Sequence, residues 1–331
     1  MASYLVFLNV RRIGMDKINC SVVIPVYNEE EVVNECYSRI KQVMDSTNES
    51  YEIIFVNDGS RDKTCEMVNK ICEKDKNVKL IDFSRNFGHQ LAITAGMNYS
   101  SGQAIVVIDA DLQDPPEVIL DMLKKWKDGY QVVYGKRLKR EGESIFKRAT
   151  AKVFYRVLRK LTEFDIPVDA GDFRLIDRRV CDALNKMDEK NRYVRGIISW
   201  LGFKTTYVEF VREKRFAGKT KYPLKKMLKF ATDAVVSFSY KPLRLTSYLG
   251  ILLSAFSFIY LVCAIVFKLF GVITTVPGWT SIIAISLFFN GIVLLVLGIM
   301  GEYVGRIYDE VKARPLYVVN EFVNFNGKDS L

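Results

Sequence analysis

Five short runs rich in Val and Ile, at 21–25, 52–57, 78–83, 104–108 and 131–134, recur in the first half of this chain, with helical patterns between them at 30–44, 63–74 and 90–100. Such alternation leaves few folds open: the strands must lie side by side, mainly parallel, with helices covering both faces. The runs read as near-continuous Val and Ile rather than as strict alternation, as strands buried on both faces do. A polar loop follows each of the first four: Tyr27-Asn28-Glu29, Asp58-Gly59-Ser60, Ser84-Arg85-Asn86 and Asp109-Ala110-Asp111. All four fall at the carboxyl ends of parallel strands, the edge at which open α/β sheets bind ligands. The expectation is an α/β domain with a Rossmann-like, mainly parallel sheet and a site along one edge.

No Gly-x-x-x-x-Gly-Lys-Ser/Thr stretch occurs, and no Gly-x-Gly-x-x-Gly follows the first run, so phosphates at that edge need another counter-charge. The fourth loop offers one. Asp109 and Asp111 end an apolar run, with Gln113 and Asp114 close behind and Pro115-Pro116 stopping the strand. Two carboxylates on a strand end can hold a hard divalent cation against a diphosphate. Alone, so short a motif is more often a solvated turn. Convergence of four polar loops favours the site.

The second half differs in kind. Residues 248–267 and 280–301 are runs of 20 and 22 residues without a charged side chain, each long enough as a helix to cross a bilayer core. They read as a two-helix transmembrane hairpin. Lys225, Lys226, Lys229, Lys241 and Arg244 precede it and Arg306, Lys312 and Arg314 follow, whereas the connection carries only Lys268. That bias places both ends, and the α/β domain, in the cytoplasm, giving a multi-pass protein of the cell membrane. Asn290, mid-run, is expected to face the first helix or another subunit. Residues 143–161 read as a basic amphipathic helix, 205–211 as a strand, and 222–240 as an amphipathic helix suited to lie on lipid headgroups. The expected division is an N-terminal extension (1–18), a catalytic domain (19–221), an interfacial region (222–242), two spans (243–305) and a C-terminal tail (306–331).

The net charge of +10 suits an anionic surface. With apolar spans present, membrane lipid is the simpler partner, and without a helix-turn-helix, zinc or single-strand recognition signature no nucleic acid is expected. Six cysteines without a Cys-x-x-Cys pair fit a reducing compartment. The first residues lack the order of a secretory signal, and Met15 is a second candidate start.

At these motifs the chain resembles the family 2 glycosyltransferases of GT-A fold, in particular bacterial polyprenyl-phosphate glycosyltransferases and their dolichyl-phosphate mannose synthase relatives. The matching pieces are Val23-Ile-Pro-Val-Tyr-Asn-Glu29, Val56-Asn-Asp-Gly-Ser60, Ser84-Arg-Asn-Phe-Gly-His-Gln90, Asp109-Ala-Asp-Leu-Gln-Asp-Pro-Pro116, Tyr134-Gly-Lys-Arg137, Ala170-Gly-Asp-Phe-Arg174 and Arg215-Phe-Ala-Gly-Lys-Thr-Lys221. The resemblance implies that Pro25, Tyr27, Glu29, Asp58 and Asp109 line the nucleotide, Asp58 accepting from the base. Asp109 and Asp111, with Gln113, would hold Mg²⁺ or Mn²⁺. For Asp58 a helix N-cap is the alternative.

The implied reaction is inverting transfer of one sugar, from UDP-glucose or another UDP-sugar, to undecaprenyl or another polyprenyl phosphate for cell-surface glycans. Asp172 matches the proposed base and can equally orient the acceptor or Arg174. Arg137, Arg148, Arg215 and Lys221 are candidates for the lipid phosphate, since an arginine fork suits phosphate oxygens. His89 reads as structural. Processive polysaccharide synthases share the first half but carry Gln-x-x-Arg-Trp; the nearest equivalent here is Arg192-Tyr-Val-Arg-Gly196. The resemblance and the small residues of the second run favour a homo-oligomer. Competing readings are another lipid acceptor, such as diacylglycerol, and a non-catalytic membrane scaffold.

Overall fold

The computed structural model describes residues 18–138, 170–187, 189–190, 192–212 and 278–325, with scattered positions from 243 to 270. The chain divides into two compact units: residues 1–153, 164–222 and 315–331 form one, and residues 154–163 and 223–314 the other.

In the first unit, β1 (Cys20–Val26), α1 (Val33–Asp45), β2 (Tyr51–Asn57), α2 (Thr64–Lys74), β3 (Val78–Phe83), α3 (His89–Tyr99), β4 (Ala104–Val107), α4 (Val118–Lys127) and β5 (Val132–Arg137) follow the predicted alternation. β6 (Ala170–Asp177), α5 (Arg178–Asn185), α6 (Val194–Trp200) and β7 (Thr205–Phe210) complete the central part. The eight-stranded sheet runs β7-β5-β6-β4-β1-β2-β3-β8, where β8 is Val319–Val323. Strands β3, β2, β1 and β4 are parallel neighbours. β6 runs antiparallel between β4 and β5, β7 pairs parallel with β5, and β8 pairs antiparallel with β3. The sheet is therefore mixed, with a parallel heart.

The parallel heart follows from composition. Cys20, Val22, Ile24 and Val26 of β1 point to one face and share a core with Val33, Cys36 and Ile40 of α1, Val68 of α2 and Ile119 of α4. Each fully buried Val or Ile contributes about 1.5–3 kcal/mol against its exposed state. Val23 points to the other face, where Gly96 of α3 lies so close that an added Cβ would stand 2.2 Å from its Cγ1. Pro25 is tolerated in this central strand because the β4 ladder ends at the Val23–Val107 pair, before its missing N–H is needed.

In the second unit, α7 (Trp279–Val311) is one continuous helix of 33 residues. Here the two-helix hairpin is corrected. Among the described residues one helix is long and apolar enough to cross a membrane, its span Phe288–Val311 covering 24 residues at mean hydropathy 1.7. The multi-pass localisation built on the hairpin falls with it. An uncharged run fixes composition, not where a helix starts or stops: α7 continues ten residues past Gly301 and carries a Glu302–Arg306 pair at 3.4 Å. Of the first run, 248–267, only scattered positions are described. Asn290 finds its partner within α7, donating to the Ser286 carbonyl at 2.9 Å, and needs no facing helix for that bond. The helices read at 143–161 and 222–240 lie outside the described residues.

Candidate active site

The loops after β1, β2 and β3 are tied to one another by backbone groups and short side chains. The Asn28 N–H, at a left-handed position with φ 53°, donates to Ser60 Oγ at 3.0 Å, and the Glu29 N–H to Thr64 Oγ1 at 2.8 Å. Arg61 N–H returns a bond to Asn28 Oδ1 at 2.8 Å. Gly59, at φ +65°, passes so near the β3–α3 loop that a Cβ would stand 2.4 Å from the Arg85 carbonyl carbon. Only glycine fits that approach without displacing backbone.

Asp58 is buried and fully engaged. Its Oδ1 accepts from the N–H groups of Phe87 and Gly88 at 2.7 and 3.1 Å, and its Oδ2 from Gly88 N–H and Asn86 Nδ2 at 3.0 and 2.9 Å. Three donors hold the carboxylate, with the Gly88 N–H shared between its two oxygens. Burial raises its pKa and the Phe87 and Gly88 amides oppose that. Asp58 thus shapes the loop before α3; it does not cap α2, whose N-cap is Lys63. Beside these loops opens a cleft of about 480 Å³, lined among others by Tyr27, Asn57, Ser60, Asp82, Arg85 and Asn320.

At the β4 end the chemistry changes to charge. His89 Nε2, on the first residue of α3, lies 3.5 Å from Asp109 Oδ1 and 3.3 Å from Asp172 Oδ2. Asp172, on β6, also receives Arg174 Nη2 at 2.5 Å, Arg195 Nε at 3.2 Å and Gln90 Nε2 at 3.5 Å. Arg174 is wholly buried inside the sheet, with Nη1 unpartnered. Burial alone would raise the Asp172 carboxyl; Arg195, the His89 hydrogen bond and Arg174 outweigh it and hold it well below the usual carboxylate range. Burial works against protonating His89, yet Asp172 and Asp109 lift it to about 9. Burial pushes Asp109 to about 6, against the pull of His89.

The sequence by itself reads His89 as structural and singles out neither Gln90 nor Arg195. The signal was present, since both lie in motifs already noted, residues 84–90 and 192–196. What the sequence lacks is the long-range folding that brings α3, β6 and α6 together.

Asp111 Oδ1 accepts from Gln113 N–H at 3.1 Å across Leu112, which takes φ 55°. Gln113 Oε1 accepts from Arg212 at 2.6 Å. Arg137 spends its fork on the buried Asp114, through Nε at 3.3 Å and Nη2 at 3.0 Å. Arg148, Arg215 and Lys221 lie outside the described residues. Among the described residues no group of three or more His, Cys, Asp or Glu side chains is arranged to hold a metal ion. A hard cation nevertheless fits the donors present: Asp109 Oδ1 is buried, makes no hydrogen bond and has the His89 ion-pair contact at 3.5 Å, and Mg²⁺ is commonly held by one or two carboxylates with substrate phosphates and water filling the rest.

Residues 21–184 match the family described as Glycosyl transferase family 2. The uncharacterized glycosyltransferase YkcC of Bacillus subtilis is 58% identical over 311 residues, covering 94% of this chain and 96% of that protein. The uncharacterized glycosyltransferase sll0501 of Synechocystis is 43% identical, over 92% and 95% of the two chains. The SfII prophage-derived bactoprenol glucosyl transferase of Shigella flexneri is 39% identical, over 91% and 97%. The chain belongs to glycosyl transferase family 2 and is a glycosyltransferase enzyme. Membership is consistent with dependence on a divalent cation.

Proposed function

We propose that this enzyme transfers a single sugar, with inversion, from a UDP-sugar, glucose being the first candidate, to a polyprenyl phosphate, in the service of cell-surface glycans. The observation that carries the chemistry is the Asp109 carboxylate at a strand end that also bears Asp111, its buried Oδ1 making no hydrogen bond and meeting His89 Nε2 at 3.5 Å. The acceptor class is supported by the bactoprenol glucosyl transferases, 39% identical over nearly their whole length.

In this reading an acceptor phosphate oxygen forms the bond to the anomeric carbon while the bond from that carbon to the diphosphate oxygen breaks, and the nucleoside diphosphate leaves with the electron pair. Mg²⁺ or Mn²⁺, when bound by Asp109 and Asp111, with Gln113 beside them, supplies positive charge against the departing diphosphate. A phosphate monoester has its second pKa near ~6 and is largely dianionic at neutral pH, so its attack needs no strong base. Asp172, kept ionised by Arg174 and Arg195, is a weak base. We therefore assign it to orienting His89 and Arg195 at the reacting edge. Tyr27, which lines the cleft, and Glu29 and Pro25 beside it in sequence are assigned to the nucleotide. Arg215 and Lys221 are the assigned holders of the acceptor phosphate; Arg137 supports the metal loop through Asp114. A homo-oligomer remains part of this reading.

The test is direct. Membranes carrying the enzyme are given radiolabelled UDP-sugars with undecaprenyl phosphate or diacylglycerol, and the lipid is extracted. Label is expected in a phosphate-linked, mild-acid-labile lipid. Label only in diacylglycerol would replace the acceptor, and no transfer from any UDP-sugar would remove the donor.

A further inference from the structure

β8 lies at the far edge of the sheet, more than a hundred residues beyond the stretch that matches the family, and it reaches the cleft beside β3. Its pairing with β3 is irregular at one point. Asp82 stands opposite Glu321 and Phe83 opposite Val319, so Asn320 is an extra residue without a ladder partner. A bulge of this kind re-aims a side chain. Here it turns Asn320 to the cleft, where Nδ2 donates to Asp82 Oδ2 at 2.9 Å. Because a carboxylate at neutral pH only accepts, the bond fixes which end of the amide is which. The nitrogen faces Asp82, leaving Oδ1 as an oriented acceptor. Asp82 is itself held from its other oxygen by Asn57 Nδ2 at 2.7 Å.

The surroundings keep this arrangement in place. Tyr317 stacks on Phe83 with centroids 5.0 Å apart, and its hydroxyl accepts from Asn98 Nδ2 at 2.8 Å. Asn324 clasps the carbonyls of Cys72 and Val78 at 2.7 and 2.8 Å. The strand is thus anchored on both sides of Asn320. Asp58, the other acceptor expected to read a base, is buried and turned to the β3–α3 loop, where three donors hold it, and it is not among the residues that line the cleft.

We propose that Asn320 is a specificity residue of the donor site, its Oδ1 accepting the imide N–H of a pyrimidine-dione base in the cleft between β8 and the β2 and β3 loops. The assignment rests on the UDP-sugar reading above. It places the base-reading acceptor on the strand that follows the apolar helix, so the donor site is completed only when the chain has returned from that helix to the sheet.

The experiment uses the full-length detergent-solubilised protein and calorimetric binding of UDP, UDP methylated at N3, and inorganic pyrophosphate. The wild type is expected to bind UDP about 10-fold more tightly than its N3-methylated form, the worth of one hydrogen bond near 1.4 kcal/mol. Asn320→Ala is expected to lose that preference by weakening UDP alone, with pyrophosphate affinity and the unfolding midpoint unchanged. Asn320→Asp, which sets a second carboxylate beside Asp82, is expected to weaken UDP further. An Asn320→Ala protein that keeps the preference would overturn the assignment, as would equal losses for UDP and pyrophosphate. A wild type that binds pyrophosphate but no UDP would refute the donor reading itself, and this one with it.

Discussion

The two sides of the sheet's carboxyl edge are held by different physics. On the β1–β2–β3 side the contacts run mostly from backbone N–H groups to uncharged side chains, Ser60, Thr64 and Asn28, with the Asp58 carboxylate held under the third loop. On the β4–β6 side they are charged and mutually dependent: His89 lies between Asp109 and Asp172, and Arg174 and Arg195 meet at Asp172. A network of the first kind fixes a loop's shape whatever the ionic conditions. One of the second kind has members whose protonation depends on each other, so charge arriving at one is felt at all. The first suits recognition of a fixed object such as a nucleoside, and the second suits a step in which charge moves.

The largest effects should come from the charged side. Asp111→Asn keeps shape and the turn to Gln113 but deletes a charge, so transfer is expected to fall by at least about 100-fold while thermal unfolding stays in place. Full turnover by that variant, or in EDTA, would return the charged side to a purely structural role. Arg174→Ala removes a buried cation and leaves a cavity in β6, for which about 3–5 kcal/mol of stability should be lost. Urea unfolding measures it, and a loss under 1 kcal/mol would show that Arg195 and His89 suffice to hold Asp172.

Much of the first side was legible in the sequence, and the reason is its uniformity. Strands such as Val22–Val26 and Ile53–Val56 are buried on both faces and announce themselves by composition, and the loops between them carry turn residues. β6 was hidden because Ala-Gly-Asp-Phe-Arg-Leu-Ile-Asp does not look like a strand; Asp172 and Arg174 are tolerated inside it by pairing with each other, with Arg195 and His89 also at Asp172. β8 was hidden for another reason. Its five residues are half exposed, and its place is set by a partner more than two hundred positions earlier. The hairpin failed because hydropathy reports composition while helix limits depend on the backbone. The placing of His89 was not legible because a single histidine gives no sign in sequence that the fold brings two carboxylates to it.

Gly59→Ala probes the neutral side where it is tightest. With φ +65° and backbone 2.4 Å from the new Cβ, the β3–α3 loop must move, at a cost of about 1–3 kcal/mol in stability. UDP binding is expected to weaken with it, since Arg85 and Asn86 line the same cleft. Unchanged UDP affinity in a protein that unfolds earlier would separate the loop's shape from recognition.

Ser60→Ala should be the mildest change. It removes one acceptor, leaving the Asn28 N–H at the cleft rim to find water, and the half-buried position makes that substitution inexpensive. About 0.5–1.5 kcal/mol of stability should be lost, with a modest rise in KM for the UDP-sugar and none for the acceptor lipid. The asymmetry is the point of the experiment, because a neutral contact on the nucleotide side should not be felt where charge moves. Equal rises in both KM values would mean that the two sides of the edge are mechanically coupled, and that the β1 loop transmits to Asp109 through β1 and β4, which pair directly from Cys20–Ala104 to Val23–Val107.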